Sequence, residues 1–351
     1  MAMYLKGSVG DCVDCSNDDP CSEGECVTLR DPGFSGVSRE CRLRDIDYSG
    51  DQLHVANSGF YHAIKWDGVK YTRGDTFNQS HVSSKMTRTS HSGSTFAVMD
   101  LSDNIYLYSV DSSTLEITNT AGPIAAGMTG TLMDICFLDD DDILLVSIDT
   151  SGATDNYHFA KGVVTGGGTG MTISSSIIDY YASGSYGTDV VIEKVEDGKA
   201  VAIIVTSVSN TYARFIDGTG ASPTLGTNSI LGSSSAFKTS GHADEASTGC
   251  VSVSGDGGMR YFEYSSVGAK INKASTSIPA MTSTAFANYG ILLERTSKQL
   301  TPFTISSFTI TLGTPVSDTE ITATSRIRGS DGSTAILYKL QDGKAKGCIV
   351  T

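Results

Sequence analysis

The chain has 351 residues, 39% hydrophobic and only 18% charged, with 38 glycines and a formal net charge of −14. That length exceeds one ordinary hydrophobic core, so the chain divides into domains or into repeated units that share cores with their neighbours. The negative charge argues against binding a phosphate backbone or an anionic membrane surface, both of which require clustered Lys and Arg. No run of about 18 apolar residues, the length of a membrane-spanning helix, occurs.

In chain order, the first feature is a group of cysteines, Cys12, Cys15, Cys21, Cys26 and Cys41. The first four read C-x2-C-x5-C-x4-C among Asp11, Asp14, Asp18, Asp19, Glu23 and Glu25. A segment so poor in apolar side chains cannot fold by burial and needs a covalent or metal staple. Disulfides suit a protein working outside a reducing cytosol. Four thiolates on zinc or an iron–sulfur cluster are the alternative, although the spacing matches no common finger and few cations balance the acids. Residues 1–10 carry no apolar core of the kind a secretory signal has, so export by a signal peptide is not expected. Residues 1–45 are accordingly set apart as a Cys-rich anchoring segment, and residues 46–351 as the body.

From about Gln52 onward one figure recurs: an apolar run, a turn rich in Asp, Gly, Asn or Ser, and a second apolar run, which is the signature of a β-hairpin. Residues 61–66 turn at Asp67-Gly68 into 69–71, and 95–101 turn at Ser102-Asp103-Asn104 into 105–110. Residues 132–138 turn at the four consecutive aspartates 139–142 into 143–148, and 190–195 turn at Glu196-Asp197-Gly198 into 200–205. Further hairpins join 250–253 to 259–264 and 335–340 to 345–350. Additional runs at 115–118, 212–216, 270–273 and 308–312 supply third or fourth strands. Residues 289–299 are the nearest approach to a helical period, and their neighbours read as strand. Taking the second strand of each unit to begin near Leu53, Thr95, Leu132, Val190, Cys250, Ala285 and Ile321 gives units averaging about 45 residues.

These units predict an all-β chain, a β-propeller of about seven four-stranded blades behind the short Cys-rich segment. Tandem β-sandwich domains are the alternative that the same strand spacing allows. A strand near residues 37–44 is expected to complete the last blade and close the ring, which would remove both free edges. Cys136, Cys250 and Cys348, one to a strand, are expected to be buried thiols.

Motifs that carry chemistry are sparse. The run 166–170, Gly-Gly-Gly-Thr-Gly, lacks the Lys and the helix of a phosphate loop and reads as an inter-blade loop. His54, His62, His81, His91, His158 and His242 form no helical metal-binding pair. The aspartates 139–142 lack the Gly and distal Glu of a calcium loop and read as an exposed acidic hairpin. Arg73-Gly74-Asp75 matches the integrin-recognition tripeptide but sits where a turn is expected anyway. No cofactor and no catalytic constellation is expected.

Ser254, Asp256, Gly258 and Tyr261 match the spacing S-x-D-x-G-x-x-aromatic, with Tyr where Trp is usual. This resembles the Asp-box hairpin of sialidases and other carbohydrate-related propellers, in which the Asp side chain stabilises the turn. The resemblance implies a propeller and does not imply sialidase activity. In overall character the acidic, Gly/Ser/Thr-rich β chain resembles tail, collar or capsid-decorating proteins of tailed bacteriophages. That resemblance implies a non-enzymatic protein of the virion or the extracellular space that docks on other virion proteins through residues 1–45, within a larger assembly, and meets a host receptor or glycan with its body. Two other readings stay open. One is a carbohydrate-binding or glycan-cleaving propeller, toward which Trp66, Asp256 and Arg260 lean; the other is a cell-surface or filament protein.

Overall fold

The computed structural model describes strand backbone at intervals from Leu5 to Val350, and side chains mainly within residues 95–228 with a few more at 292–317. The described secondary structure is 30 β-strands and no helix, hence no helix long and apolar enough to cross a membrane. The composition accounts for this: β-branched and aromatic runs fit a pleated surface, and Asp, Gly and Ser interrupt them every few residues.

Among the described residues the strands form seven antiparallel sheets, each nearly contiguous in sequence. Sheet 1 runs Asp51–Ala56, Phe60–Trp66, Tyr71–Arg73, with Phe77–Asn78 beside Phe60–Trp66. Sheet 2 is Arg88–Ser92, Thr95–Met99, Asn104–Val110 and Ile117–Ala125. Sheet 3 is Thr131–Phe137, Asp142–Asp149 and Asn156–Thr165, whose outer edge pairs with both Gly170–Ile173 and Ile177–Tyr180. Sheet 4 is Gly187–Glu196, Lys199–Thr206, Thr211–Asp217 and Thr224–Gly232. Sheet 5 is Gly249–Val253, Gly258–Tyr264 and Lys270–Ser277. Sheet 6 is Thr282–Phe286, Tyr289–Glu294, Gln299–Ser306 and Thr309–Leu312, with Val316–Ser317 sharing its edge. Sheet 7 is Arg326–Ser330, Ala335–Lys339 and Lys344–Val350, and the N-terminal strands Leu5–Lys6 and Cys26–Thr28 pair with the last of these.

All six expected hairpins are present, and within 289–299 the chain is strand over Tyr289–Glu294 and again from Gln299, with a turn at 296–298. The strand order within the units differs from expectation. Thr95 begins the second strand of its sheet, but Leu53, Leu132, Val190, Cys250 and Ala285 lie on first strands, and Ile321 lies outside the described residues. A local pattern marks where a hairpin turns; it does not say which of its strands has a further neighbour. The segment joined to the last strand is 5–6 and 26–28, whereas residues 37–44 lie outside the described residues.

Sheets 2, 3 and 4 stack face on face. On Asp142–Asp149, Ile143 and Leu145 pack with Ala97, Met99, Ile105 and Leu107 of sheet 2, while Leu144, Val146 and Ile148 pack with Val190, Ile192, Ala202 and Ile204 of sheet 4. Because both faces are covered, the strand is a continuous apolar run instead of an alternating one. Each such fully buried aliphatic side chain contributes about 2 kcal/mol. The other face of sheet 2 gathers Phe96 stacked on Tyr108, with Val98, Tyr106, Val110, Leu115 and Ile117.

First strands of successive sheets lie side by side, Arg88–Ser92 next to Thr131–Phe137 and Thr131–Phe137 next to Gly187–Glu196. A buried carboxylate ties the second of these contacts. Asp134 sits just after a register irregularity, accepts the N–H of Ile135 at 3.0 Å, and with its other oxygen accepts the N–H of Ile192 in sheet 4 at 2.8 Å. Asp189 follows the corresponding irregularity on the first strand of sheet 4.

Candidate functional site

In an antiparallel meander successive turns alternate between the two ends of the sheets. The connections that follow Val110, Phe137, Thr165, Glu196 and Asp217 therefore share one end, and those that follow Met99, Ala125 and Asp149 the other. The first end is the richer in chemistry.

Its turns are fastened by their own side chains. Asp111 accepts the hydroxyl of Ser113 at 2.6 Å and the N–H groups of Ser113 and Thr114 at 2.8 and 2.9 Å. Asp139 accepts the N–H groups of Asp141 and Asp142. Asp217 accepts the hydroxyl and N–H of Thr219 at 2.6 and 2.9 Å. These are Asx turns, in which a short carboxylate replaces a backbone acceptor. Gly166, Gly167 and Gly168 all take positive φ, 61°, 66° and 93°, which only glycine adopts in succession without strain. This run connects Asn156–Thr165 to Gly170–Ile173, so it is a hairpin turn inside sheet 3 and not the inter-blade loop expected.

Across the seam between sheets 3 and 4, Lys161 forms a clamp. Its side chain is buried, its Nζ donates to the carbonyls of Gly218 at 2.9 Å and Gly220 at 3.1 Å, and it ion-pairs with Asp142. Gly198 N–H reaches Leu138 O at 3.1 Å, and Gly218 N–H reaches Gly198 O at 2.8 Å. A band of hydrogen bonds thus joins the turns of the two sheets.

The electrostatics point to fixed charge. Hydrogen bonds from Ser113 and Thr114 lower the Asp111 carboxyl to about 2. The Thr219 hydroxyl and N–H lower Asp217, and at the other end the Ser151 hydroxyl and N–H lower Asp149. Among the described residues, Tyr106 is the group pushed upward, by burial and by the Asp100 carboxylate, whose Oδ2 accepts its hydroxyl at 3.2 Å. A carboxyl poised for proton transfer would be raised toward neutrality. Asp111, Glu116, Asp140 and Asp141 are exposed.

A pH dependence follows. A carboxyl whose folded value lies below its unfolded one stabilises the fold above the unfolded value and loses that contribution as pH falls through the folded value. For Asp111 the window runs from 3.8 down to about 2. Carboxyl resonances followed by NMR are expected to show Asp111 titrating near the bottom of that window, with the Ser113 and Thr114 amides losing exchange protection over the same range.

At the opposite end, Asp103 adopts φ 59°, accepts the Leu132 N–H on its carboxylate at 2.8 Å and the Ala126 N–H on its carbonyl at 3.0 Å. It fixes the crossing from sheet 2 to sheet 3.

Of the residues singled out in the sequence, Cys136 is a buried thiol whose Sγ lies 3.4 Å from Phe137 O. Cys250 and Cys348 lie on strands, as expected. Cys12, Cys15, Cys21, Cys41, Ser254 and Asp256 lie outside the described residues, and Cys26 begins a strand. Gly258 and Tyr261 lie on the second strand of the expected hairpin, Tyr261 opposite Val251. The aspartates 139–142 form a turn, with Asp142 bound to Lys161. The reading of that group as an exposed acidic hairpin therefore fits Asp140 and Asp141, while Asp139 and Asp142 are partly covered. Sequence reasoning missed Lys161 and Asp134, and read Asp103 as a hairpin turn without its reach to Leu132; a lysine inside the apolar run 157–164 was the available signal.

By sequence the chain matches no family model and no curated protein. By shape it is similar to the β-propeller domain of Myceliophteria thermophila Cps50 (Swd1), with a TM-score of 0.62 at 10% identity over 94% of this chain and 100% of that one. It is also similar to U3-55K, with a TM-score of 0.58 at 11% identity over 94% and 99% of the two chains. A third similar structure is the computationally designed Ika8 protein, with a TM-score of 0.53 at 10% identity over 93% and 99%. The chain has the β-propeller fold. At these identities the likeness speaks to fold alone.

Proposed function

We propose that the chain is a non-enzymatic structural or attachment protein of a virus particle, a seven-bladed propeller closed by its N-terminal strands and docked through the segment 1–45. The observation that carries this reading is the way the best-described end is built. Asp111, Asp139 and Asp217 cap turns and Asp142 binds Lys161, and Asp111 and Asp217 are held ionised, which suits a rigid charged surface better than proton transfer. Ring closure draws support from the pairing of Leu5–Lys6 and Cys26–Thr28 with Lys344–Val350, and from Cys26–Thr28 lying next to Tyr71–Arg73 of sheet 1. The acidic surface faces a host receptor or glycan in this reading, and the N-terminal segment faces other virion proteins.

The test is proteomic. Particles purified from the source by density gradient are expected to contain the chain in a fixed ratio to their major shell protein, and a chain lacking residues 7–25 is expected to stay folded but leave the particle fraction. Recovery of the chain only in soluble cell fractions would overturn the proposal.

A further inference from the structure

Each of the seven sheets ends, on the side away from its first strand, with a strand that has no further neighbour among the described residues. Such an edge presents a row of backbone N–H and C=O groups to which another strand can be added. In every one of these sheets the outermost strand is interrupted.

In sheets 1, 3 and 6 it comes in two pieces, which leave two residues of the neighbouring strand between their partners. These are His62 and Ala63, Ala160 and Lys161, and Thr301 and Pro302. In sheet 7 the pieces Leu5–Lys6 and Cys26–Thr28 leave Gly347 and Cys348 in the same way. The outermost strands of sheets 2, 4 and 5 stay whole but carry residues out of register: Thr120 and Gly122-Pro123, Gly226-Thr227 against Phe215, and Lys273. No outermost strand pairs over more than four consecutive residues, as Gly170–Ile173 does, whereas the inner pairing of Asp142–Asp149 with Asn156–Thr165 runs through eight without a shift.

Sheet 3 shows how such a break is accommodated. The Ser174 N–H donates to Lys161 O at 2.7 Å, and the Ser174 hydroxyl accepts the Lys161 N–H at 3.0 Å. The hydroxyl stands in for the carbonyl that a continuous ladder would offer, so the third strand keeps its bonds while the outer one departs. Three serines, 174–176, then stand against two residues, with Ser175 exposed.

A bulge bends and twists its strand, so the two halves of each edge leave one line. An incoming strand gains about four residues of ladder before it too must break, and so short a pair is marginal in water. Pro123 also removes a donor from the edge of sheet 2.

We propose that these interruptions are a guard against strand addition, closing the outer edges to a second copy of this chain. A single continuous outer strand is enough to make the chain self-associate. The property holds whether or not the chain belongs to a virion, so its test and the particle test fail separately.

The test restores a continuous edge in the reduced full-length chain. Deleting Ser175 sets two residues against Ala160 and Lys161 and keeps the pairs on either side. Deleting Thr227 sets one residue against Phe215 in sheet 4. Relative to the parent, each variant is expected to at least double its weight-average mass in sedimentation as concentration rises. The amides of its repaired outer strand are expected to gain exchange protection over the same range, which marks strand addition as the contact. A folded variant that keeps the parent's mass and edge protection at every concentration overturns the proposal, as does a parent whose own outer-strand amides become protected on concentration. If one variant fails to fold, the other decides. Unfolding of both shows that the breaks serve packing within the sheets, and the guard is then refuted.

Discussion

Replacing Lys161 by alanine is expected to destabilise the chain by about 3 kcal/mol or more, read as a lower urea midpoint. The lysine side chain is 7% exposed and that of its partner Asp142 18%. Without the ammonium group, a mostly buried carboxylate loses its counter-charge, and the carbonyls of Gly218 and Gly220 lose their donor. The cost of an orphaned charge exceeds the net worth of the pair, so Lys161→Met combined with Asp142→Leu is expected to recover much of the loss. Recovery by the double variant identifies desolvation as the cause; failure to recover would point to the two carbonyls of the Gly218–Gly220 turn.

Gly130→Ala is expected to be at least as damaging, by more than about 3 kcal/mol, while Gly127→Ala a few residues away costs about 1 kcal/mol. Both glycines hold positive φ, 84° and 62°. At Gly127 an added Cβ meets nothing within 4 Å, so only the left-handed backbone is penalised. At Gly130 the Cβ would lie 2.5 Å from Ile148 C and 2.7 Å from Asp149 N, with Ile148 O closer still. These are backbone atoms held in a ladder with Thr131–Phe137 and cannot step aside. Thermal unfolding of the two variants side by side separates torsional cost from collision, and equal losses would refute the collision argument.

What the sequence discloses is local. Asp67-Gly68, Ser102-Asp103-Asn104 and Glu196-Asp197-Gly198 announce their hairpins because a turn is decided by the residues within it. The apolar run 143–148 announces a strand, yet only the stacked sheets explain why it does not alternate. Separations in sequence hide the rest. Lys161 finds its acceptors 57 and 59 residues onward, and Asp134 its partner 58 onward. The two N-terminal fragments that pair with the last strand, of two and three residues, are too short to carry a period. Of the candidate site, the carboxylates and glycines were legible as turn formers; their joining into one band across a seam was not.

The face-on-face stacking has a consequence for how the chain is made. Segments such as Ile143–Ile148 and Val201–Val205 combine high β propensity, no charge and no proline, the profile of sequences that self-associate when bare. Each is hidden only when the sheet on either side has arrived, so a ribosome-bound chain always carries one sheet with an uncovered face. Synthesis proceeds N-terminal first, which makes the newest sheet the vulnerable one at every moment and the final sheet the one that must recruit the oldest residues, Leu5–Lys6 and Cys26–Thr28. A chain cut short before Lys344–Val350 therefore keeps both a bare flank and an unmatched beginning, and aggregation is its expected fate.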